Sequence, residues 1–533
     1  MQVFNSLAHL RTRVLLSMAI LPILFLAGCR PEVESERAAD LILTNARVYT
    51  LSWGDPGPEG NPASDAPVQN GIWTPDAEAV ALKDGLILSV GSAAEMEAFE
   101  GTATEVRDLS GAVVVPGLIE SHGHYEELGE LAEEVDLVGV STEEEMVRRV
   151  MARAEGVAPG EWIVGGGWDE GEWANHLPTK TRLSELLPHN PVVLKGLRGF
   201  GVFGNTAALD AAGIDAETPA PSGGEIVRDE AGELTGVLLN RAVPLLRGAI
   251  PERSLEQRKR VLLHGLREIL EAGYVMGHHA GVFPDYVEAY EALAEAGELP
   301  VRMEVMLSTR EPGRGLIEEW IERGPTSDPD AFLQIRSVKA YYDASLGSRG
   351  AKMMGGYADM PGEMGEAGEA YGFIPDLVAR SIGAGFQAVI HAIGDGGNRD
   401  VLDFYEEVFE DFPEAKGLRH RIEHAQVVHP DDFARFGELG LVASMQPPHA
   451  VEDSPWAGDR VGPHRVLGAY AWRTMRRNGV PLIFNSDLSG SDFGIFYGLH
   501  SAVTRTTRDL QPPGGWFPDQ KMSPEEALSL IHI

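Results

Sequence analysis

Cysteine occurs once in 533 residues. No intrachain disulfide framework and no cysteine zinc cluster can therefore form. Positive charge is also scarce: 44 basic residues face 81 acidic ones, a formal net charge of −37. Such a chain repels phosphate backbones, which disfavours a nucleic-acid partner. Only eight of the basic residues are lysines, so a lysine within an apolar strand is notable. The glycine run 165–167 is not followed by the Lys-Ser/Thr of a phosphate loop, so no nucleotide site is read there. Internal repeats and low-complexity tracts are absent. Hydrophobic residues make up 43% and charged residues 23%, an ordinary globular balance that excludes a disordered, collagenous or polytopic membrane chain. The length allows several average domains or one large barrel with attachments.

The amino terminus reads as a targeting segment. Arg11 and Arg13 precede a short apolar run, Val14 to Phe25, which ends in Leu26-Ala27-Gly28-Cys29. This pattern resembles a bacterial lipoprotein signal, in which the cysteine becomes the lipidated first residue. The expectation is a signal peptide over 1–29, lipidation at Cys29 and a tether over 30–39. No aspartate follows the cysteine, so the expected location is the cell envelope, on the periplasmic side of the outer membrane. Membrane contact would be through the lipid anchor alone.

From residue 40 the chain alternates short β-branched runs with turn residues to about 115, which predicts a small β-sandwich module with a long loop over 52–77. Eight apolar segments follow: Leu118–His124, Tyr274–His279, Val301–Leu307, Leu333–Tyr342, Phe386–His391, His420–His424, Leu441–Gln446 and Pro481–Asp487. Helical patterns such as Leu255–Ala272 lie between several of them. Eight strands alternating with helices predict an α/β fold, a (β/α)8 barrel of the TIM type over 116–527. The gap between the first two segments is too long for one helix. Residues 125–254 are therefore read as an inserted subdomain.

In such barrels, active groups sit at the carboxyl ends of strands. Those ends here carry His122, His124, Lys339, His391, His424 and Asp487. His122 and His124 share one side of a strand, because side chains alternate with period two. His-x-His alone is weak, but five strand ends bearing ligand types together point to a divalent-metal site. Lys339 fits less simply, since a buried ammonium is a poor ligand. Either it pairs with Asp343, or CO2 converts it to a carbamate that bridges two metals. His278 and His279 are read as pocket or core residues and His420 as a packed one. Glu423 could orient an imidazole or pair with Arg421 or Arg419.

The stretch Pro116-Gly-Leu-Ile-Glu-Ser-His-Gly-His124 resembles the first-strand signature of the amidohydrolase superfamily. Further segments are similar to the amidohydrolase family 3, YtcJ-like branch, which includes N-substituted formamide deformylases. They include Gly166-Gly-Trp-Asp169, Lys339-Ala-Tyr-Tyr-Asp-Ala-Ser-Leu-Gly-Ser-Arg349, His391-Ala-Ile-Gly-Asp395, Arg419-His-Arg-Ile-Glu-His-Ala-Gln426 and Ser486-Asp487. The resemblance covers about 40–525. It implies that His122, His124 and Asp487 hold the more buried metal and that His391 and His424 hold a second. It also implies a carboxylated Lys339 between them. One or two divalent ions, zinc foremost, are expected. Asp487 would be the catalytic proton carrier, with Trp168 and Arg349 shaping the pocket for a small-molecule substrate.

The implied reaction is hydrolysis of a non-peptide C–N bond in a small or cyclic amide. Esterase or lactonase action, and an inactive lipid-anchored binding protein, are the alternatives; a homodimer is compatible with either. Two departures from the family stand out. Phe200 falls where the family has a histidine, which suggests a more apolar pocket. The last residues, Leu528-Ser-Leu-Ile-His-Ile533, can be translated from a transposon sequencing adapter, so 528–533 are expected to be an artefact of a truncated gene. A fragment without its closing elements is expected to aggregate.

Overall fold

A computed structural model describes residues 37–168, 177–196, 201–222, 224–240 and 242–531. Cys29, Phe200 and His532 lie outside the described residues, as do the calls that rest on them. The chain divides into two compact units. Of the described residues, one holds those up to Thr50 with Pro67–Val115, and the other Leu51–Ala66 with those from Pro116 onward.

In the first unit a four-stranded sheet has the order Leu86–Gly91, Ala79–Lys83, Leu41–Thr44, Glu105–Asp108. Ile42, Ala79, Ala81 and Met96 form its small core, while Leu86, Ile87 and Val106 are exposed. The sequence reading put all of 40–115 in one module. Leu51–Ala66 instead belongs to the second unit, where Arg473 donates to Pro58 O at 3.0 Å and Arg477 pairs with Glu59 at 2.8 Å.

The second unit is built on eight parallel strands: Leu118–Gly123, Tyr274–Val282, Arg302–Ser308, Leu333–Tyr341, Gln387–Ala392, Arg421–His424, Val442–Met445 and Leu482–Phe484. Their spatial order follows the chain. They are referred to below as barrel strands 1 to 8. Each is covered on both faces, which is why they read as near-continuous apolar runs. Between strands 8 and 1 the ring closes through a bridge of Gly123 with Leu488. At the opposite end, Phe484 N–H donates to Leu530 O and Ile119 N–H to Ile531 O. Register aligns the functional layer: Tyr341 lies beside His391, His391 beside Glu423, and Ala392 beside His424.

After strand 1 comes the helix Tyr125–Glu133, and before strand 2 the helix Leu255–Ala272. The latter begins on a capping box of Ser254 and Gln257 and stops at Gly273, whose φ of 105° only glycine adopts readily. Val261, Leu262, Leu266 and Ile269 recur at helical spacing on its buried face. Between the two helices a separate six-stranded sheet forms. Its order is Val135–Asp136, Ile163–Trp168, Val192–Gly196, Gly201–Gly204, Leu234–Asn240, Gly224–Arg228. Among the described residues no helix is long and apolar enough to cross a membrane.

The two helices approach through glycines. A Cβ at Gly265 would lie 2.1 Å from Tyr125 O, and one at Gly129 would lie 1.9 Å from Val261 O. Both clashes are with backbone and cannot be relieved by a rotamer change. Gly265→Ala is therefore expected to destabilise the protein by about 1–3 kcal/mol. Gly315→Ala, on an open helix face, is expected to be neutral or stabilising. Denaturant midpoints of the two variants check this.

Candidate metal centre

The carboxyl ends of the strands converge on one cavity of about 640 Å³. Strand 1 delivers His122, which is wholly buried, and the chain leaves it at His124, whose N–H donates to Leu488 O at 2.6 Å. His122 Nε2 and His124 Nε2 each lie 3.5 Å from Asp487 Oδ1. His424 Nδ1 is 3.8 Å from Asp487 Oδ2. Ligand atoms of His122, His424 and Asp487 all fall within 4.8 Å of one another. The His391 ring is 4.4 Å from that of His424. Lys339 Nζ, at 1% exposure, is 3.4 Å from His122 Nε2. All six candidate ligands read from the strand ends thus meet in one place.

The backbone bends to make this possible. An extended strand would send Glu423 and His424 to opposite faces. His424 has φ 72°, Ala425 φ 40° and Asp487 φ 58°. These left-handed conformations are costly for non-glycine residues and cluster at functional sites.

Neighbours fix the ring nitrogens. His122 Nδ1 bonds the Glu423 carboxylate, leaving Nε2 for the cavity. Glu423 also accepts from Arg421 Nε at 2.7 Å and Ser444 Oγ at 2.6 Å, and Arg421 Nη2 donates to Ser121 O at 2.7 Å. Both sequence readings of Glu423 hold at once: it is paired with Arg421 and it orients an imidazole. His424 Nδ1 is bonded to Gln446 Oε1 at 2.9 Å. Glu120, two residues before His122, accepts from Ser486 N–H at 3.1 Å and Ser486 Oγ at 2.7 Å, which anchors the turn bearing Asp487.

Burial sets the charge states. It lowers His122 to about 4 and His424 to about 3, and drives His391 well below the usual imidazole range. All three stay neutral, the form that binds metal. Burial also opposes the Asp487 charge. The imidazoles around it, His124 through a hydrogen bond, outweigh burial and hold Asp487 well below the ordinary carboxylate range. Burial lowers Lys339 to about 8.

These residues fit a divalent ion. His391 Nε2 is buried with no hydrogen-bond partner, an expensive condition that a metal bond would relieve. Its neighbour Asp343, 3.5 Å away, is already engaged by Ile393, Gly394 and Lys352 N–H groups. That engagement also corrects the ion-pair reading of Lys339, whose close polar neighbour is His122 rather than Asp343.

Two expected pocket residues lie elsewhere. Trp168 is wholly buried in the core of the six-stranded sheet, with Nε1 donating to Leu194 O at 3.0 Å. Arg349 pairs with Asp359 at 2.8 Å. Neither lines the cavity. His279 is a core residue bonded to Tyr290 OH at 2.9 Å and paired with Glu126. His278 meets Arg421 Nη1 at 3.2 Å, and His420 is packed, accepting from Ala388 N–H.

Sequence reasoning missed His449, Arg310 and Tyr341, which all line the cavity. His449 lies on the short helix after strand 7, its ring nearly parallel to that of His424 at a centroid separation of 6.2 Å and 3.9 Å from Asp487. Its position in Gln446-Pro-Pro-His449, just past a strand end, was the available signal.

The fold and the ligand set define a metal-dependent hydrolase of the barrel type. Residues 105–532 match the amidohydrolase family, and the chain belongs to it. It is 31% identical to the protein LONG AFTER FAR-RED 3 of Arabidopsis thaliana, over 92% of this chain and 82% of that one. It is 27% identical to N-substituted formamide deformylase of Arthrobacter pascens, over 86% and 85%. The crystal structure of an uncharacterized metal-dependent hydrolase from Pyrococcus furiosus superposes with TM-score 0.71 at 26% identity, covering 92% of each chain.

Glu423 can be tested apart from the ligands. Glu423→Gln keeps the size of the side chain but loses the charge that holds both Arg421 and His122. Metal affinity is expected to fall roughly 10–100-fold, with a loss of stability of about 3–5 kcal/mol from the uncompensated Arg421. Equilibrium dialysis against a competing chelator and thermal unfolding measure the two effects. Wild-type metal retention would exclude the orienting role.

Proposed function

We propose that the protein hydrolyses a non-peptide C–N bond in a small amide or cyclic amide, with a metal-activated water as nucleophile. The observation that carries this is the convergence of four imidazoles, Asp487 and Lys339 in one cavity at the barrel's carboxyl end. The formamide deformylase relative supports the bond type. Zinc suits a set of neutral imidazoles and a carboxylate.

His122, His124 and Asp487 would hold one ion, and His391 and His424 a second. A bound ion supplies an acidified water and polarises the carbonyl. Asp487, ionised and between His122 and His424, is placed to take the water's proton and hand it to the leaving nitrogen, as expulsion of an amine requires. Lys339 is shifted by burial toward its free amine, the form whose nitrogen bonds to CO2 as a proton leaves to solvent. The resulting carbamate would supply oxygen donors for a metal where the free side chain offers an ammonium. A lipoprotein leader over 1–29, as read from the sequence, would place this chemistry in the cell envelope.

The test uses chelator-stripped protein refilled with zinc or other divalent ions and offered matched amide and ester panels. Activity on amides is expected to return with metal. The double variant His122→Ala, His124→Ala is expected to lose more than a hundredfold in kcat/KM. A loss under tenfold, or turnover of esters with no amide cleaved, would displace the reading. Metal uptake by stripped protein is expected to rise with added bicarbonate, and Lys339→Arg to abolish that dependence. Uptake indifferent to bicarbonate would remove the carbamate.

A further inference from the structure

Arg310 follows strand 3 and, among the described residues, is the one arginine lining the metal cavity. Its guanidinium carbon lies 3.5 Å from the ring centroid of Tyr341, the last residue of strand 4. Its Nε donates to Tyr371 O at 2.8 Å. Its Cγ occupies the space left by Gly372, where a Cβ would approach to 2.6 Å. These three contacts fix the plane of the guanidinium. Its terminal nitrogens are joined to no carboxylate among the described residues, and they are not among the buried polar atoms left unpaired. They are open to the cavity.

The other charges of the cavity are already engaged. Glu126 pairs with His279, Glu127 accepts from Ser489 Oγ at 2.6 Å, and Glu452 accepts from Ser491 Oγ at 2.7 Å. Asp453 accepts from Gln426 at 3.0 Å and from Tyr470. In a chain of net charge −37, an arginine held flat and left without an acid in a cavity is unusual. A fixed planar fork of donors matches a carboxylate in bidentate geometry.

Distance relates it to the reacting centre. The Tyr341 ring that carries Arg310 is 6.3 Å from the His391 ring, and Lys339 Nζ is 5.3 Å from the same Tyr341 ring. One tyrosine ring therefore separates the guanidinium from the metal ligands. Resting on the hydrolytic reading above, we propose that Arg310 is the specificity residue of the site and receives a carboxylate of the substrate. The class of substrate is then an amide bearing an anionic group, its scissile bond at the metal ligands and its carboxylate on Arg310.

Binding and turnover test this separately. Metal-loaded full-length protein is titrated by calorimetry with aliphatic dicarboxylates of three to six carbons and with the monocarboxylates of equal length. A dicarboxylate can engage the metal and Arg310 together, and a monocarboxylate only one of them. At the best length the dicarboxylate is expected to bind at least tenfold tighter. Arg310→Gln is expected to reduce that ratio below threefold, and Arg310→Lys, which keeps the charge without the fork, to leave it intermediate. In turnover, N-acyl amino acids are expected to exceed their carboxamides at least tenfold in kcat/KM, with the preference lost in Arg310→Gln. A ratio near one in the wild type, or a wild-type ratio kept by Arg310→Gln, overturns the proposal. If no amide is cleaved at all, the hydrolytic reading falls while the calorimetric ratio still decides whether Arg310 binds an anion.

Discussion

Glu423 is the junction on which the site depends. It is wholly buried on strand 6, and an isolated carboxylate there would be prohibitively expensive. It is tolerated because both of its oxygens find partners: Arg421 and Ser444 donate to it, and His122 bonds it through Nδ1. Arg421 in turn reaches the carbonyl of Ser121 on strand 1. One charge network thus ties strand 6 to strands 1 and 7 through the barrel interior. A ring on strand 1 is aimed by a carboxylate on strand 6, next to the residue that supplies His424. A fully satisfied buried network is rigid, and a partly broken one is worse than an apolar core.

The same burial then sorts the ionisable groups by chemistry. Desolvation disfavours charge, so it neutralises His122, His391 and His424 and moves Lys339 toward its free amine. By itself it would also neutralise Asp487. The carboxylate survives ionised because it stands among imidazoles. Neutral nitrogens and one fixed anion in a confined space are the donor set a divalent cation prefers. Left-handed backbone at His424, Ala425 and Asp487 is the local cost of bringing these groups together, and it is sustained by the packed barrel beneath.

The barrel was legible because its strands are buried on both faces and so read as apolar blocks, each ending in ligand-type residues. All eight observed strands overlap the eight apolar segments. Groups that depend on cross-strand geometry were harder to read. Glu120 shares the parity of His122, but nothing local says that it clamps Ser486 on the far side of the closure. Trp168 ends a Gly-Gly-Gly-Trp run that resembles a pocket loop, yet its indole fills the core of a different sheet. Arg349 lies in a long family-like motif, yet its left-handed backbone and Asp359 turn it to a structural pair. Arg310 and His449 come from connections after strands, where no periodicity marks a side chain as facing the cavity. Leu51–Ala66 reads as a loop of the β module because composition says nothing about which unit a polar segment packs on.

The distribution of cations reveals how the interior uses chemistry. Eight lysines are present, and Lys339 is the only one that is buried. Where a permanent positive charge is needed inside, arginine is used: Arg421 on Glu423, Arg473 on Glu526, and Arg505 on backbone carbonyls. Arginine cannot lose its proton in a protein and offers five fixed donors, so it suits these structural roles. It could not serve at position 339, beside the imidazoles of a metal site, because a fixed cation there would repel the metal. Lysine differs in that burial can shift it toward its neutral amine, as it does Lys339.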